Sequence, residues 1–274
     1  MKARPGFTLA ETLVALVLVG IIGTALTRLM VNQSGFFNKQ GALSDARDVA
    51  RAATNIVMSD LRMVNPAGGI VALGPDSITV RVPYRMGLVC GHPAGRTTIS
   101  WLPADSIVLA EAVPAGYAWQ AANGTYNYVE AAVTQTSGSS ARCSDAATSI
   151  TTLSGGAMTD VAPQVSGAPV ATPVFLFQRI TYRFANSTMY PGTKGLYRQL
   201  GSGTPEELAA PFDASSRFRF YVLDADTAQN DVPSPVTDLR GLELQLVAMN
   251  RMKSAGTAET TPLSTAVFFR NRLD

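Results

Sequence analysis

Gly6-Phe7-Thr8-Leu9-Ala10-Glu11 follows a short basic leader holding Lys2 and Arg4 and opens an almost wholly apolar run from Leu13 to Val31. The order is the reverse of a secretory signal, in which cleavage follows the apolar region and discards it. Here the candidate cut, after Gly6, precedes that region, so the mature chain keeps its anchor. The run has about the 20 residues needed to cross a hydrocarbon core of roughly 30 Å. Lys2 and Arg4 lie on its N-terminal side, which sets the N-terminus in the cytoplasm and the C-terminal bulk outside. Arg28, late in the span, can snorkel to the outer interface.

Glu11 interrupts the apolar run near its start, where a carboxylate is disfavoured by about 2.5–3.5 kcal/mol on insertion scales. Snorkelling to the interface offsets part of this, and a partner for the charge would offset more. Past Val31 the apolar residues thin to Leu43, Ala46, Ala50, Ala53, Val57, Leu61 and Val64, a single helical stripe at spacings of three and four. Asp45, Arg47, Asp48, Arg51, Asn55, Asp60 and Arg62 fall between them and are assigned to the solvated face. Asn65-Pro66 and Gly68-Gly69 end the pattern. One helix is therefore expected from about Phe7 to about Val64, with bending at Gly20, Gly23, Gly35 or Gly41.

Gly6-Phe7-Thr8-Leu9 with Glu11 resembles the class III signal of type IV pilins and type II secretion pseudopilins. The resemblance implies that a prepilin peptidase cuts between Gly6 and Phe7 and methylates the new Phe7 amine. It also implies that Glu11, fifth in the mature chain, meets the N-terminal ammonium of a neighbouring subunit during assembly. Thr12 departs from the aliphatic residue more usual after that glutamate.

From residue 66 onward, alternating segments bounded by Gly, Pro, Asn and Asp replace the helical spacing. Ser77–Val82, Gln178–Phe184, Arg217–Val222, Leu242–Leu246 and Ala266–Phe269 read as strands. Ile180–Phe184 and Gly195–Arg198 read as a hairpin around Pro191-Gly192. Ser154–Pro173, rich in small residues and proline, reads as an exposed loop that could part the head into two lobes. The fold class is α+β, a long N-terminal helix packed on a β-rich head. Its divisions are a leader (1–6), a transmembrane half-helix (7–33), an amphipathic half-helix (34–65) and an extracytoplasmic head (66–274).

Cys90 and Cys143 are the only cysteines and both lie in the part assigned outside the cytoplasm. A disulfide is the default there, worth on the order of 4 kcal/mol in the chain-entropy model, with two free buried thiols as the alternative. The net charge of +2 includes Lys2 and Arg4, so removing the leader brings the side-chain charge to zero (2 − 2), which argues against a dedicated nucleic-acid surface. Arg179, Arg183, Arg217 and Arg219 fit an outward polar strand face.

No catalytic constellation is legible and no cofactor is expected. His92, the only histidine, lies in the turn-like Cys90-Gly91-His92-Pro93 and reads as a surface loop residue, and Gly-x-Ser-x-Gly is missing. Gly201-Ser202-Gly203 lacks the third glycine of a dinucleotide loop. Asp224, Asp226 and Asp231 form a weak calcium candidate without EF-hand spacing.

The Ile180–Arg183, Gly195–Arg198 and Phe218–Tyr221 segments, with Val267-Phe268-Phe269-Arg270-Asn271, resemble PilW-like minor pilins and J-type minor pseudopilins. That likeness implies a low-copy structural subunit, not an enzyme, placed near the tip of a type IV pilus or type II secretion pseudopilus and priming its assembly. Its partners would be prepilin peptidase, other minor and major (pseudo)pilins, the inner-membrane assembly platform and the membrane. A tip adhesin, or a tethered enzyme on a pilin-like anchor, is the alternative.

Overall fold

The computed structural model describes residues 8–102, 104–105, 114–137, 144–145, 148–149, 158–223, 225–250 and 260–269. Helix α1 (Leu9–Leu61) runs unbroken for 53 residues, roughly 80 Å at about 1.5 Å per residue. It stays helical through Gly20, Gly23, Gly35 and Gly41. It ends three residues before the expected Val64, because Asn65-Pro66 forces extended backbone and the chain turns through Arg62 and Met63 to get there. Val64 nonetheless stays buried, continuing the stripe of Ala46, Ala50, Ala53, Val57 and Leu61 after the helix has ended.

The head strands are β1 (Ile70–Leu73), β2 (Ser77–Gly91), β3 (Thr97–Trp101), β4 (Gly116–Gln120), β5 (Tyr126–Glu130) and β6 (Thr134–Ser137), then the two-residue β7 (Ser144–Asp145) and β8 (Thr148–Ser149). After them come β9 (Met158–Ala162), β10 (Pro173–Asn186), β11 (Lys194–Leu200), β12 (Glu206–Phe212), β13 (Arg217–Val222), β14 (Leu239–Met249) and β15 (Thr260–Phe268). All except β7 and β8 join one antiparallel sheet whose main path runs β13-β14-β12-β11-β10-β2-β3-β9-β6. The chain is thus α+β, as its sequence pattern implies.

The expected hairpin is β10–β11, in register from Ile180↔Leu200 to Asn186↔Lys194. Its loop turns at Gly192, whose φ of +85° is open to glycine and strained for other residues. The long strands β2 and β10 pair over eleven residue positions and carry the two larger of three buried clusters. In the lower one, Ile78, Val80, Ile180, Tyr182, Phe212 and Leu244 pack against the buried stripe of α1. In the upper one, Trp101, Trp119, Val161, Val174 and Leu176 pack together without the helix. A register shift between Leu176 and Phe177 separates them, since a bulge re-aims side chains to the other face.

Two sequence expectations are corrected. Ser154–Pro173 is not all loop: β9 lies within it, paired with β3 on one side and β6 on the other. The strand is disguised by Asp160, a residue disfavoured in strands, which is buried here because Thr98 donates a hydrogen bond to its carboxylate at 2.6 Å. Asp60, assigned to the solvated face of α1, is only 15% exposed at its side chain. The last turn of α1 brings it over β10, where Tyr182 rises to meet it.

Candidate functional site: the helix terminus, its anchor and the head cleft

Thr8 caps α1 with extended backbone, and its hydroxyl accepts the Glu11 N–H at 3.3 Å. Glu11 reaches back so that Oε2 accepts the Thr8 N–H at 2.9 Å and the Thr8 hydroxyl at 3.0 Å. This is a capping box, satisfying two helix-start donors reciprocally. Taken alone, the sequence motif points to its glutamate and its cut. The capping role of Thr8 was missed, although a threonine three residues before a glutamate at the head of an apolar run is its signature. Gly6 and Phe7 lie outside the described residues.

From Leu9 to Gly41 every residue of α1 is exposed, including Leu13, Leu16, Val19, Ile22 and Val31. The helix holds a stretch long and apolar enough to cross a membrane, none of it buried against the rest of the chain. Burial begins only around Ala46, so one continuous helix is exposed in its first half and packed on the head in its second.

The fixing point is polar. Tyr182 donates its hydroxyl hydrogen to Asp60 Oδ2 at 2.5 Å, and Arg198 on β11 lies 3.6 Å from the same oxygen. An acid in the last helical turn faces the negative end of the macrodipole. A phenol and a guanidinium from the sheet offset that. Burial, followed by the Asp60 hydrogen bond and charge, raises the Tyr182 pKa well above the usual tyrosine range.

Beside this point lies an elongated cleft of 1210 Å³. One wall is the helix end and the chain leaving it, Asp60 to Pro66, and the others are Val82–Met86 of β2 and Ala266–Phe269 at the end of β15. Arg85 is 5% exposed and stacks 4.6 Å above the Trp101 ring, with Nη1 donating to Gln135 Oε1 at 2.6 Å. Its Nε, and that of Arg198, are buried without an acceptor. Neither arginine was singled out from the sequence, because nothing in a strand's alternation marks an arginine as inward-facing.

The other candidates fall apart from this region. Cys90 is buried at the end of β2 and is not a free thiol, while Cys143 lies outside the described residues. Asp226 and Asp231 are exposed, Asp224 lies outside the described residues, and among the described residues no three His, Cys, Asp or Glu side chains gather to hold a metal. His92 is an exposed turn residue, yet both ring nitrogens are engaged, Nε2 with the Ala168 carbonyl at 2.7 Å and Nδ1 with Thr97 Oγ1 at 3.0 Å. It pins the segment after β9 to β3. Of the four strand arginines, Arg179 meets Glu130 at 3.3 Å and Arg219 meets Glu243 at 3.1 Å. Arg183 lies over the Tyr197 ring, and Arg217 donates to the Ser215 carbonyl at 3.1 Å.

Residues 1–27 match a family model described as the prokaryotic N-terminal methylation motif. No curated protein and no solved structure matches the chain. The N-terminus is therefore a prepilin-type signal joined to a long apolar helix.

Proposed function

We propose that the chain is a minor pilin or pseudopilin, made as a precursor, cut by prepilin peptidase between Gly6 and Phe7, and methylated on Phe7. The observation that carries this reading is that the methylation motif over residues 1–27 coincides with the one part of the helix that packs on nothing in its own chain. A helix apolar all round needs lipid or other helices about it. The membrane supplies the first before assembly and neighbouring subunits supply the second in the fibre.

Glu11 then has two successive partners. In the isolated chain the Thr8 backbone and hydroxyl satisfy it, which limits the cost of holding a carboxylate in lipid. On assembly the methylated ammonium of a neighbour replaces or joins them. The head faces the extracytoplasmic side, where Cys90 and Cys143 form a disulfide. Its length and β-rich build suit a low-copy subunit at the fibre tip that primes assembly on the inner-membrane platform. A head that binds a ligand at the tip is the second reading, favoured by the cleft beside α1.

Replacing Gly6 with leucine should abolish cleavage, while Glu11→Ala should leave cleavage intact and deplete the subunit from fibres. Uncleaved protein entering fibres at the normal level would contradict the proposal.

A further inference from the structure

Asn123-Gly124 is the chain's one Asn-Gly pair, and it forms the tip of the β4–β5 hairpin, whose strands run in register to Gln120↔Tyr126. The Ala121 N–H donates to the Thr125 carbonyl at 2.8 Å, and the Gly124 N–H donates to the Ala121 carbonyl at 2.9 Å. Gly124 takes a φ of +83°, the left-handed residue that closes a three-residue hairpin loop. Asn123 itself is exposed.

The Asn123 side chain folds forward over this turn. Its Oδ1 accepts the Thr125 N–H at 3.1 Å and the Thr125 hydroxyl at 2.6 Å, an Asx turn. The ring so closed contains both the Asn123 Cγ and the Gly124 nitrogen, which restricts how far apart they can move. Both donors also point at the oxygen that gathers negative charge when a nucleophile adds to Cγ, the arrangement that stabilises an oxyanion. Gly124 has no side chain to crowd its nitrogen.

Other asparagines lack one of these parts. Asn65 precedes Pro66, which has no N–H. Asn32, Asn38 and Asn55 lie within α1, where the next N–H is held in the helix ladder. Asn186 precedes Ser187, which is buried and donates its N–H to the Thr193 carbonyl at 2.9 Å.

We propose that Asn123 is a self-modification site, which deamidates through a cyclic imide when the hairpin tip opens. Opening frees the Gly124 nitrogen from the Ala121 carbonyl, and such tips open at little local cost. The Asx turn is confined to residues 123–125 and survives this step. The Gly124 nitrogen loses its proton to solvent base and adds to Asn123 Cγ, the Cγ–Nδ2 bond breaks, and Nδ2 leaves as ammonia. Water then opens the imide at either carbonyl, giving an aspartate at position 123 or an isoaspartyl link in which the main chain passes through Cβ. Nothing is oxidised or reduced: amide and water become carboxylate and ammonium.

The product bears on the join between helix and head. Among the described residues β5 pairs with β4 alone. It carries Glu130, which binds Arg81 at 2.8 Å, and Tyr128, whose ring centre lies 5.3 Å from the Arg81 guanidinium carbon. Arg81 in turn donates to the Gly68 carbonyl, in the Pro66–Gly69 turn that follows α1. An extra main-chain carbon in the loop, or a new charge at its tip, loosens β5 and with it this clamp.

The test ages the full-length chain in detergent micelles, in mildly alkaline buffer over weeks, and follows each asparagine by peptide mass and by labelling with an isoaspartate-specific methyltransferase. Asn123 should convert ahead of every other asparagine, with isoaspartate in excess over aspartate, and the β5 amides should exchange faster in the aged chain. Thr125→Val should slow conversion by about fivefold, the worth of one ordinary hydrogen bond, while Thr125→Ser retains the parent rate. Asn123 still an amide at the end of the incubation, or aspartate without isoaspartate, overturns the site. A parental rate in Thr125→Val overturns the part given to the hydroxyl, and unchanged β5 exchange in the converted chain overturns the effect on the join.

Discussion

The contact between Asp60, Tyr182 and Arg198 should hold the end of α1 to the sheet, and Tyr182→Phe tests this with the least disturbance. The substitution removes one hydroxyl and leaves the ring in the lower core. Tyr182 is fully buried and its partner is a carboxylate only 15% exposed at the side chain, so the lost bond belongs in the charge-assisted class, about 1.5–3 kcal/mol. With a urea slope of about 2 kcal/mol/M, the midpoint should fall by about 1 M. Unfolding of the micelle-held chain can be followed through Trp101 and Trp119, both in the upper core. Asp60→Asn and the double variant complete the cycle, in which a coupling energy of about 1 kcal/mol or more is expected. A Tyr182→Phe midpoint within about 0.2 M of the parent, or strict additivity of the two substitutions, would refute a structural role for the contact.

Burial raises the Tyr84 phenol to about 12, and Tyr128 and Tyr182 shift up further for the same leading reason. A raised folded pKa makes the stabilisation complete below the unfolded value of about 10 and lost as pH climbs from there through the folded value. An ultraviolet titration should therefore show four of the eight tyrosines, these three and Tyr117, whose pKa burial also raises, ionising after the others, and a single common transition near pH 10 would contradict it. On the acid side, burial pushes the Glu207 carboxyl up but the combined hydrogen bonds from Ser187, Thr188 and Tyr197 hold it below its usual range. Glu207→Gln should thus destabilise at neutral pH and cost progressively less as pH falls through the folded value, and a pH-independent loss would contradict that. A Cβ at Gly116 would stand 2.1 Å from the Val129 carbonyl oxygen and 2.6 Å from Phe177 Cζ. Gly116→Ala should cost about 1–3 kcal/mol by thermal denaturation, and an unchanged melting temperature would show that β4 and β5 can separate freely. Non-reducing mobility and thiol labelling test the Cys90–Cys143 bridge: labelling of both cysteines without reductant would exclude it.

The N-terminal half of this architecture is written locally in the chain. Thr8, Glu11 and the run from Leu13 to Val31 set helix start and anchor through neighbours three or four residues away, and the stripe from Ala46 to Leu61 does the same for the packed half. Strands with clean alternation, such as Arg217–Val222, were equally legible. What escaped the sequence depends on partners distant along the chain. β9 is a strand because β3 and β6 flank it and Thr98 satisfies its Asp160, neither of which its own composition reveals. Asp60 looks like one more surface acid until β10 places Tyr182 beneath it, and Arg85 looks like one more outward arginine until Trp101 and Gln135 enclose it. The cleft arises where β2, the end of β15 and the end of α1 meet, a juxtaposition no single segment encodes.

The central claim is that the chain leaves the membrane as a processed subunit that keeps its helix. The most direct measurement is the N-terminal mass and sequence of the protein recovered from membranes that contain prepilin peptidase. The account predicts a mature terminus at methylated Phe7 with residues 1–6 gone. An intact Met1, or a terminus beyond Val31, would contradict it.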